Sequence, residues 1–184
     1  GHHREVTSNH VRATTELAGR LPERGEPPPD LVVWPENATA VDPVLDPIAR
    51  ASIEEAVEAI GTPILVGGIF DGPDAATAYN RGIVWRPDVG AGVGVGETYT
   101  KAHPVPFGEY IPWRSVIGDW STRFRLIPRD FIAGRGDGPL EAGGVLVADA
   151  ICFDVAYDDV LPTQVRGGAE MVTVQTSNAT FFGT

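Results

Sequence analysis

Short apolar runs recur along the chain and constrain its fold more than any other feature. Residues 30–34 predict a continuous apolar strand of the kind buried in a sheet, and residues 63–70, Val145–Ile151 and 171–176 predict three more strands. Two helices alternate with the first two strands. The first is capped by Thr7 or Asn9 and ends at the proline-rich residues 22–29, and the second is Pro47–Ile60, closed by Gly61 in a left-handed conformation. The order α-β-α-β predicts an α/β fold.

The middle of the chain predicts a hairpin followed by irregular segments. Residues 80–85 and 95–101 read as two strands joined by a loose tip at 86–92. Three prolines make residues 102–112 an ordered loop rather than a helix or a strand. Apolar side chains are dispersed among Arg, Pro and Gly over residues 113–138, which predicts a lid or a surface that meets an apolar partner. These apolar residues are Trp120, Phe124, Leu126, Ile127, Phe131 and Ile132.

Composition narrows the class of protein. The 184 residues are 42% hydrophobic, which is enough for one domain with a sizeable core, and they contain no apolar run of membrane-spanning length. A formal net charge of -11 argues against a nucleic-acid partner. One cysteine excludes an internal disulfide. Residues 1–3 resemble the remnant of a purification tag, so the domain is expected to be residues 4–184.

The single cysteine lies at a position suited to a nucleophile. Cys152 directly follows the strand Val145–Ile151, and residues 154–164 predict the start of a helix. A thiol at this turn lies near the amides of a helix N-terminus, which favour a thiolate and can later donate to an oxyanion. A buried, inert cysteine is an equal alternative from position alone.

Two further reactive groups come at predicted strand ends. Glu36 follows the strand at 30–34, and Lys101 ends the strand at 95–101. Because ligands gather at the carboxyl ends of strands in open α/β sheets, these groups are expected to converge with Cys152 within hydrogen-bonding or near-contact reach. The thiolate would attack a carbonyl, Glu36 would move the proton and Lys101 would stabilise the oxyanion. Taken singly, Glu36 is more often a solvated helix-cap carboxylate and Lys101 is more often a surface ammonium.

These residues also carry a resemblance to a known family. Residues 34–36, 101–112, 151–154 and 177–178 resemble the nitrilase (carbon-nitrogen hydrolase) superfamily. Within it, Trp-Pro-Glu-Asn at 34–37, Val-Pro-Phe-Gly-Glu-Tyr-Ile-Pro at 105–112 and the cysteine box are similar to the bacterial apolipoprotein N-acyltransferases. The resemblance implies a partial nitrilase-like αββα sandwich whose flanks at both ends are missing from this sequence.

The resemblance also implies roles for individual residues. Glu36 would be the general base, Lys101 the oxyanion stabiliser, Cys152 the nucleophile and Glu109 a second essential carboxylate near the thiol. Supporting positions are Phe153 and Asp154, where relatives usually carry Tyr and Glu, and Asp154 is expected to cap the helix after the nucleophile. His103 is expected to be structural, and no metal or cofactor is expected. The alternating glycines of residues 90–96 do not open a helix, so a nucleotide loop is not expected.

The implied reaction moves a fatty acyl group from a membrane phospholipid, through a cysteine thioester, to the N-terminal amine of a diacylglyceryl-cysteine lipoprotein. It implies a place at the cell membrane with the catalytic domain on the extracytoplasmic face, and leaves open an associated or fused glycosyltransferase, as in actinobacterial relatives. Two alternatives remain: a soluble nitrilase-type amidase that uses the same three residues, and a catalytically silent binding domain.

Overall fold

Two β-sheets packed face to face organise the structure, a computed structural model that describes residues 2–87, 94–117, 127–136 and 138–177. The elements in chain order are α1 (His2–Arg24), β1 (Val32–Val33), α2 (Pro47–Ile60), β2 (Ile64–Asp71), β3 (Thr77–Arg86), β4 (Gly94–Thr100), α3 (Arg114–Ile117), β5 (Asp130–Phe131), β6 (Leu140–Ala142), β7 (Val145–Ile151), a 3-10 helix (Cys152–Ala156), α4 (Val160–Arg166) and β8 (Met171–Gln175).

The first sheet has the order β1-β2-β3-β4, with β5 beside one end of β3, and the second has the order β6-β7-β8. β1 runs parallel to β2, whereas β2 and β3 pair antiparallel, as do β3 and β4. β1 and β4 therefore run in the same direction and end at the same edge of the sheet. In the second sheet, β7 and β8 are parallel.

The core has two parts, one on each face of the first sheet. Helices α1 and α2 cover the outer face, where Ile53 and Val57 pack with Ile64 and Trp85 in a fully buried cluster. On the inner face, apolar side chains of the two sheets meet. They are Leu65, Val84 and Tyr99 from the first sheet and Leu140, Val147 and Ile151 from the second. Each fully buried aliphatic side chain contributes roughly 1.5–3 kcal/mol. With α4 packed on β7, the layers follow the predicted αββα order.

Helix α2 matches its prediction, whereas the prediction for α1 was wrong at both ends. Gly61 ends α2 at φ 69°, and the Asp46 carboxylate accepts from two backbone amides at its start. Helix α1 runs through Thr7 instead of beginning there, and the Thr7 hydroxyl donates to the Ala38 carbonyl at 2.9 Å instead of capping the helix. The helix also continues past Pro22 to Arg24, and residues 2–3 lie in its first turn.

The predicted helix after Cys152 was also wrong. A short 3-10 helix follows the cysteine and ends at Tyr157, whose backbone is extended at φ -102° and ψ 134°. Helix α4 begins only at Val160, so Cys152 does not lie at the N-terminus of an α-helix. The predicted hairpin of β3 and β4 is present, but residues 88–93 of its tip, with the glycines at 90 and 92, lie outside the described residues. Within the described residues, no helix is long and apolar enough to span a bilayer.

Candidate active site

Three strand ends meet at one place in the sandwich. Glu36 follows β1, Lys101 follows β4 and Cys152 follows β7. The Lys101 Nζ atom lies 3.7 Å from Glu36 Oε1, and Lys101 is close enough to Cys152 for their charges to interact. The convergence was predicted along the edge of one open sheet, but β7 belongs to the opposite sheet. The groups therefore meet across the sandwich.

Lys101 lies between two carboxylates in the interior. Its ammonium is 2.8 Å from Glu109 Oε2, and its side chain is only 2% exposed. Burial alone would lower the pKa of Lys101. The hydrogen bond and charge of Glu109, followed by the charges of Glu36 and Cys152, outweigh burial and raise that pKa. Lys101 is therefore a permanent cation at neutral pH.

The loop at residues 102–112 positions Glu109 by its own backbone. The Val105 amide donates to Glu109 Oε2 at 2.7 Å, and the backbone of Phe107 pairs with that of Tyr110. The prolines predicted to order this loop have no backbone N–H, so few backbone donors remain. Glu109 accepts a hydrogen bond from one of these donors. The structure thus brings Glu109 to the ammonium of Lys101.

Asn80 is a polar residue of the site that the sequence reasoning missed. Its Nδ2 donates to Glu36 Oε1 at 2.8 Å and to Glu109 Oε1 at 3.2 Å, so one amide group bridges both carboxylates. The backbone carbonyl of Asn80 also accepts from the backbone amide of Lys101 at 2.9 Å. No local pattern in the sequence indicates this role, because the two carboxylates that Asn80 bridges lie 44 and 29 residues away. Asn80 and Lys101 together allow two carboxylates to share a buried site.

The backbone at the site adopts conformations that non-glycine residues rarely take. Four described non-glycine residues have positive φ angles, each costing roughly 1–2 kcal/mol. They are Asn37 at 57°, Phe107 at 60°, Trp113 at 53° and Cys152 at 53°. Asn37 adjoins Glu36, Phe107 lies in the loop of Glu109, and Cys152 forms the turn after β7. Such strain persists only where the surrounding scaffold fixes it, and it is concentrated here around the reactive groups.

Asp154 does not cap a helix, so its predicted role was wrong. It is fully buried and accepts from the Tyr99 hydroxyl at 2.6 Å, the Ala102 amide at 3.2 Å and the His103 amide at 2.9 Å. Burial, followed by this hydrogen bond to Asp154, raises the pKa of Tyr99. Asp154 therefore fastens the turn that carries Cys152 to the backbone that follows Lys101.

Aromatic residues surround the turn after the nucleophile. Phe153 is 55% exposed and contacts Tyr157 edge-on at a ring-centroid distance of 6.0 Å. The His103 ring stacks on Tyr157 at 3.7 Å, and its Nε2 atom lies 2.9 Å from Asp159 Oδ1. These contacts give His103 a packing role. In the described part of the chain, no group of three His, Cys, Asp or Glu side chains is arranged to hold a metal ion.

Sequence comparison finds relatives along nearly the whole chain. The apolipoprotein N-acyltransferase of Mycolicibacterium smegmatis is 39% identical over 182 residues, which cover 97% of this chain and 30% of that protein. The apolipoprotein N-acyltransferase of Pseudomonas aeruginosa is 33% identical over 186 residues, which cover 96% of this chain and 33% of that protein. A comparison with models of protein families finds no match.

Structure comparison shows the same fold in more distant proteins. A carbon-nitrogen hydrolase from Helicobacter pylori matches with a TM-score of 0.58 at 16% identity, over 92% of this chain and 59% of that one. A variant of a nitrilase-superfamily amidase from Nesterenkonia matches with a TM-score of 0.55 at 18% identity, over 94% of this chain and 62% of that one. These matches confirm the predicted fold class.

The chain spans about a third of the length of the curated relatives it matches. Within that third, the resemblance inferred from the motifs at 34–37 and 105–112 and from the cysteine box is confirmed by relatives of one name. The chain therefore has the fold of the nitrilase (carbon-nitrogen hydrolase) superfamily and is similar, along nearly its whole length, to bacterial apolipoprotein N-acyltransferases.

Proposed function

We propose that this chain carries the catalytic site of a lipoprotein N-acyltransferase. The observation that carries the proposal is a buried ammonium, Lys101, held between Glu36 and Glu109 beside the turn of Cys152. The similarity to apolipoprotein N-acyltransferases over 97% of the chain supports the choice of reaction. The acyl donor would be a membrane phospholipid, and the acceptor would be the N-terminal amine of a diacylglyceryl-cysteine lipoprotein.

The first half-reaction would form a thioester on Cys152. Glu36 takes the thiol proton, and the sulfur attacks the carbonyl carbon of the phospholipid ester. Lys101 stabilises the oxyanion of the tetrahedral intermediate. When the C–O bond breaks, Glu36 returns the proton to the leaving oxygen, and a lysophospholipid departs.

The second half-reaction would transfer the acyl group to nitrogen. The acceptor amine attacks the thioester carbonyl, Glu36 accepts a proton from the amine, and the C–S bond breaks as the amide forms. The proton returns to the sulfur of Cys152. A covalent intermediate lets two bulky lipid substrates use one site in turn.

Burial makes Lys101 suited to oxyanion stabilisation. A fixed cation acts more strongly in a low-dielectric site than in water, and no solvent has to reorganise during the reaction. Glu109 contacts the ammonium at 2.8 Å and is anchored by the Val105 amide, so we assign it the positioning of Lys101. Asp154 supports the same arrangement from the Cys152 side, through the Ala102 and His103 amides.

Exposed apolar side chains near the site support a lipid substrate. Phe107, Trp113 and Val116 are 57%, 75% and 84% exposed. An open cavity of about 380 Å³ lies beside this loop, and Pro106, Tyr110, Phe131 and Tyr157 are among its lining residues. We propose that this surface faces phospholipid at the extracytoplasmic face of the cell membrane.

The sequence-based hypothesis extended this lipid-facing surface to Ile132. For Ile127 the hypothesis was wrong, because that side chain is only 8% exposed. Trp120, Phe124 and Leu126 lie outside the described residues.

Product analysis separates the candidate activities. The protein is incubated either with phospholipid and a diacylglyceryl-cysteine peptide or with a small aliphatic amide, and lysophospholipid, N-acylated peptide and ammonia are measured. We expect lysophospholipid and acylated peptide in equal amounts, and loss of both in the Cys152→Ala variant. Ammonia release from the amide alone would favour an amidase, and no product from either would favour a binding domain.

A further inference from the structure

A buried carboxyl group lies beneath the site and takes no part in the proposed chemistry. Asp149, on β7, is fully buried and sits three residues before Cys152. The Thr173 hydroxyl donates to its Oδ1 atom at 3.0 Å. Its Oδ2 atom is buried and has no hydrogen-bond partner among the described residues. A buried carboxylate with an oxygen left unpaired is costly, so this arrangement requires an explanation.

A second unpaired oxygen lies close to the first. Gln175, on β8, donates from Nε2 to the Trp34 carbonyl at 2.6 Å. Since a carbonyl can only accept, this contact fixes the orientation of the amide and leaves Gln175 Oε1 on the other side. That oxygen is also buried without a partner among the described residues.

Gly82 on β3 shows that the two oxygens face the same point. A Cβ atom added to Gly82 would lie 2.3 Å from Asp149 Oδ2 and 2.5 Å from Gln175 Oε1. Two buried acceptors that face one point repel each other unless one of them carries a hydrogen. Any side chain on Gly82 would also displace them, which explains a glycine in the middle of a buried strand.

The surroundings of Asp149 favour its neutral form. The pKa of Asp149 is raised to about 8: burial is the largest cause, the Thr173 hydrogen bond acts in the opposite sense, and the charge of Asp154 adds to the effect of burial. The titratable neighbours with which it interacts are Asp154 and Tyr99. Thr173 and Gln164, which hydrogen-bond to Asp149, are uncharged, and the Gln164 amide pairs with the Asp149 backbone N–H and carbonyl at 2.9 Å and 2.6 Å.

We propose that Asp149 keeps its proton in the folded protein and donates it from Oδ2 to Gln175 Oε1, and so acts as a positioning residue for Glu36. The hydrogen bond would orient Gln175 so that its amide holds the Trp34 carbonyl, two residues before Glu36. The amide of Ser177, just beyond β8, donates directly to Glu36 Oε2 at 3.1 Å. The end of β8, in the second sheet, would thereby fix the Glu36 carboxylate, which follows β1 of the first sheet. The inference rests on the proposed function only for the role given to Glu36.

Infrared spectroscopy tests the proton directly. Wild-type protein, Asp149→Asn and the control Asp158→Asn, which removes an exposed carboxyl group, are compared between pH 5 and pH 10. We expect the carbonyl stretch of a protonated carboxylic acid at pH 6 in wild type and in the control, its loss by about pH 9.5, and its absence in Asp149→Asn. A wild-type spectrum without that band at pH 6 would overturn the proposal.

The rate of Cys152 alkylation by iodoacetamide tests the positioning role, and it requires neither lipid nor turnover. Asn at position 149 can still donate to Gln175 at every pH. The alkylation rate of Asp149→Asn divided by that of wild type should therefore be near 1 below pH 7. It should rise several-fold above pH 9, where wild-type Asp149 has lost its proton. The same ratio for Asp158→Asn should stay near 1. A ratio that does not change with pH would refute the positioning role, whatever the acyltransferase assays show.

Discussion

The ion pair of Lys101 and Glu109 gives a sharp energetic prediction. Changing Glu109 to Gln keeps the shape of the side chain but removes the charge that lies 2.8 Å from the Lys101 ammonium. Lys101 is 2% exposed and Glu109 17% exposed at their side chains, so water cannot replace the lost partner. Removing one member of a buried pair costs roughly 3–5 kcal/mol. Since Glu36 remains 3.7 Å away, we expect the low end, about 3 kcal/mol.

A double-mutant cycle isolates this interaction. Lys101→Met leaves Glu36 and Glu109 without their shared cation and should also destabilise the protein strongly. The double variant Lys101→Met/Glu109→Gln removes both charges of the pair, so neither is left without its partner. The remaining carboxylate, Glu36, still accepts hydrogen bonds from Asn80 and Ser177. The double variant should therefore lose about 2 kcal/mol less than the sum of the two single losses.

Urea denaturation at pH 7 measures the four free energies of unfolding. In the Glu109→Gln variant, the rate of Cys152 alkylation should also depend on pH in a different way, because the Lys101 ammonium is no longer held in place. Additivity within about 0.5 kcal/mol would refute the coupling, and it would show that the ammonium is stabilised mainly by other groups.

Three further predictions concern pH, the Asp154 network and the lipid surface. The pKa of Asp149 near 8 exceeds its ordinary 3.8, so its stabilising contribution is complete below about pH 4 and is lost as pH rises to 8. Relative to wild type, Asp149→Asn should gain up to about 1.4 kcal/mol of unfolding free energy per pH unit over that range; parallel pH profiles from urea titrations would contradict this. Tyr99→Phe removes a donor to Asp154 and should cost about 1–3 kcal/mol in urea titrations; a loss below about 0.5 kcal/mol would count against that network. Trp113→Ser/Val116→Ser should weaken flotation with phospholipid vesicles roughly tenfold without altering stability; unchanged flotation would remove the support for a lipid-facing loop.

Local patterns were sufficient to predict several elements from sequence. The bounds of α2 and the left-handed Gly61 follow from helical periodicity and a glycine at the end of the pattern. The strand Val145–Ile151 follows from a short apolar run before a reactive residue. The motifs at 34–37 and 101–112 identified the carboxylates and the lysine that the structure brings together.

The features that were not predicted from the sequence depend on contacts between distant parts of the chain. Asp154 looked like a helix cap, but its partners Tyr99, Ala102 and His103 come some fifty residues earlier. Thr7 looked like a cap for the same local reason, although its hydroxyl contacts Ala38. Asn80 gave no local signal because its function arises only when two loops meet over β3. Local propensity contains no information about such partners.

The most direct test of the account is the chemical state of Cys152 after exposure to phospholipid. The protein is incubated with phospholipid vesicles in the absence of an amine acceptor, digested and examined by mass spectrometry. We predict a fatty acyl group on the Cys152 peptide that neutral hydroxylamine removes, in wild type and in Asp158→Asn but not in Lys101→Met. Lysophospholipid release with Cys152 unmodified, or an acyl group carried by another residue, would contradict the central claim.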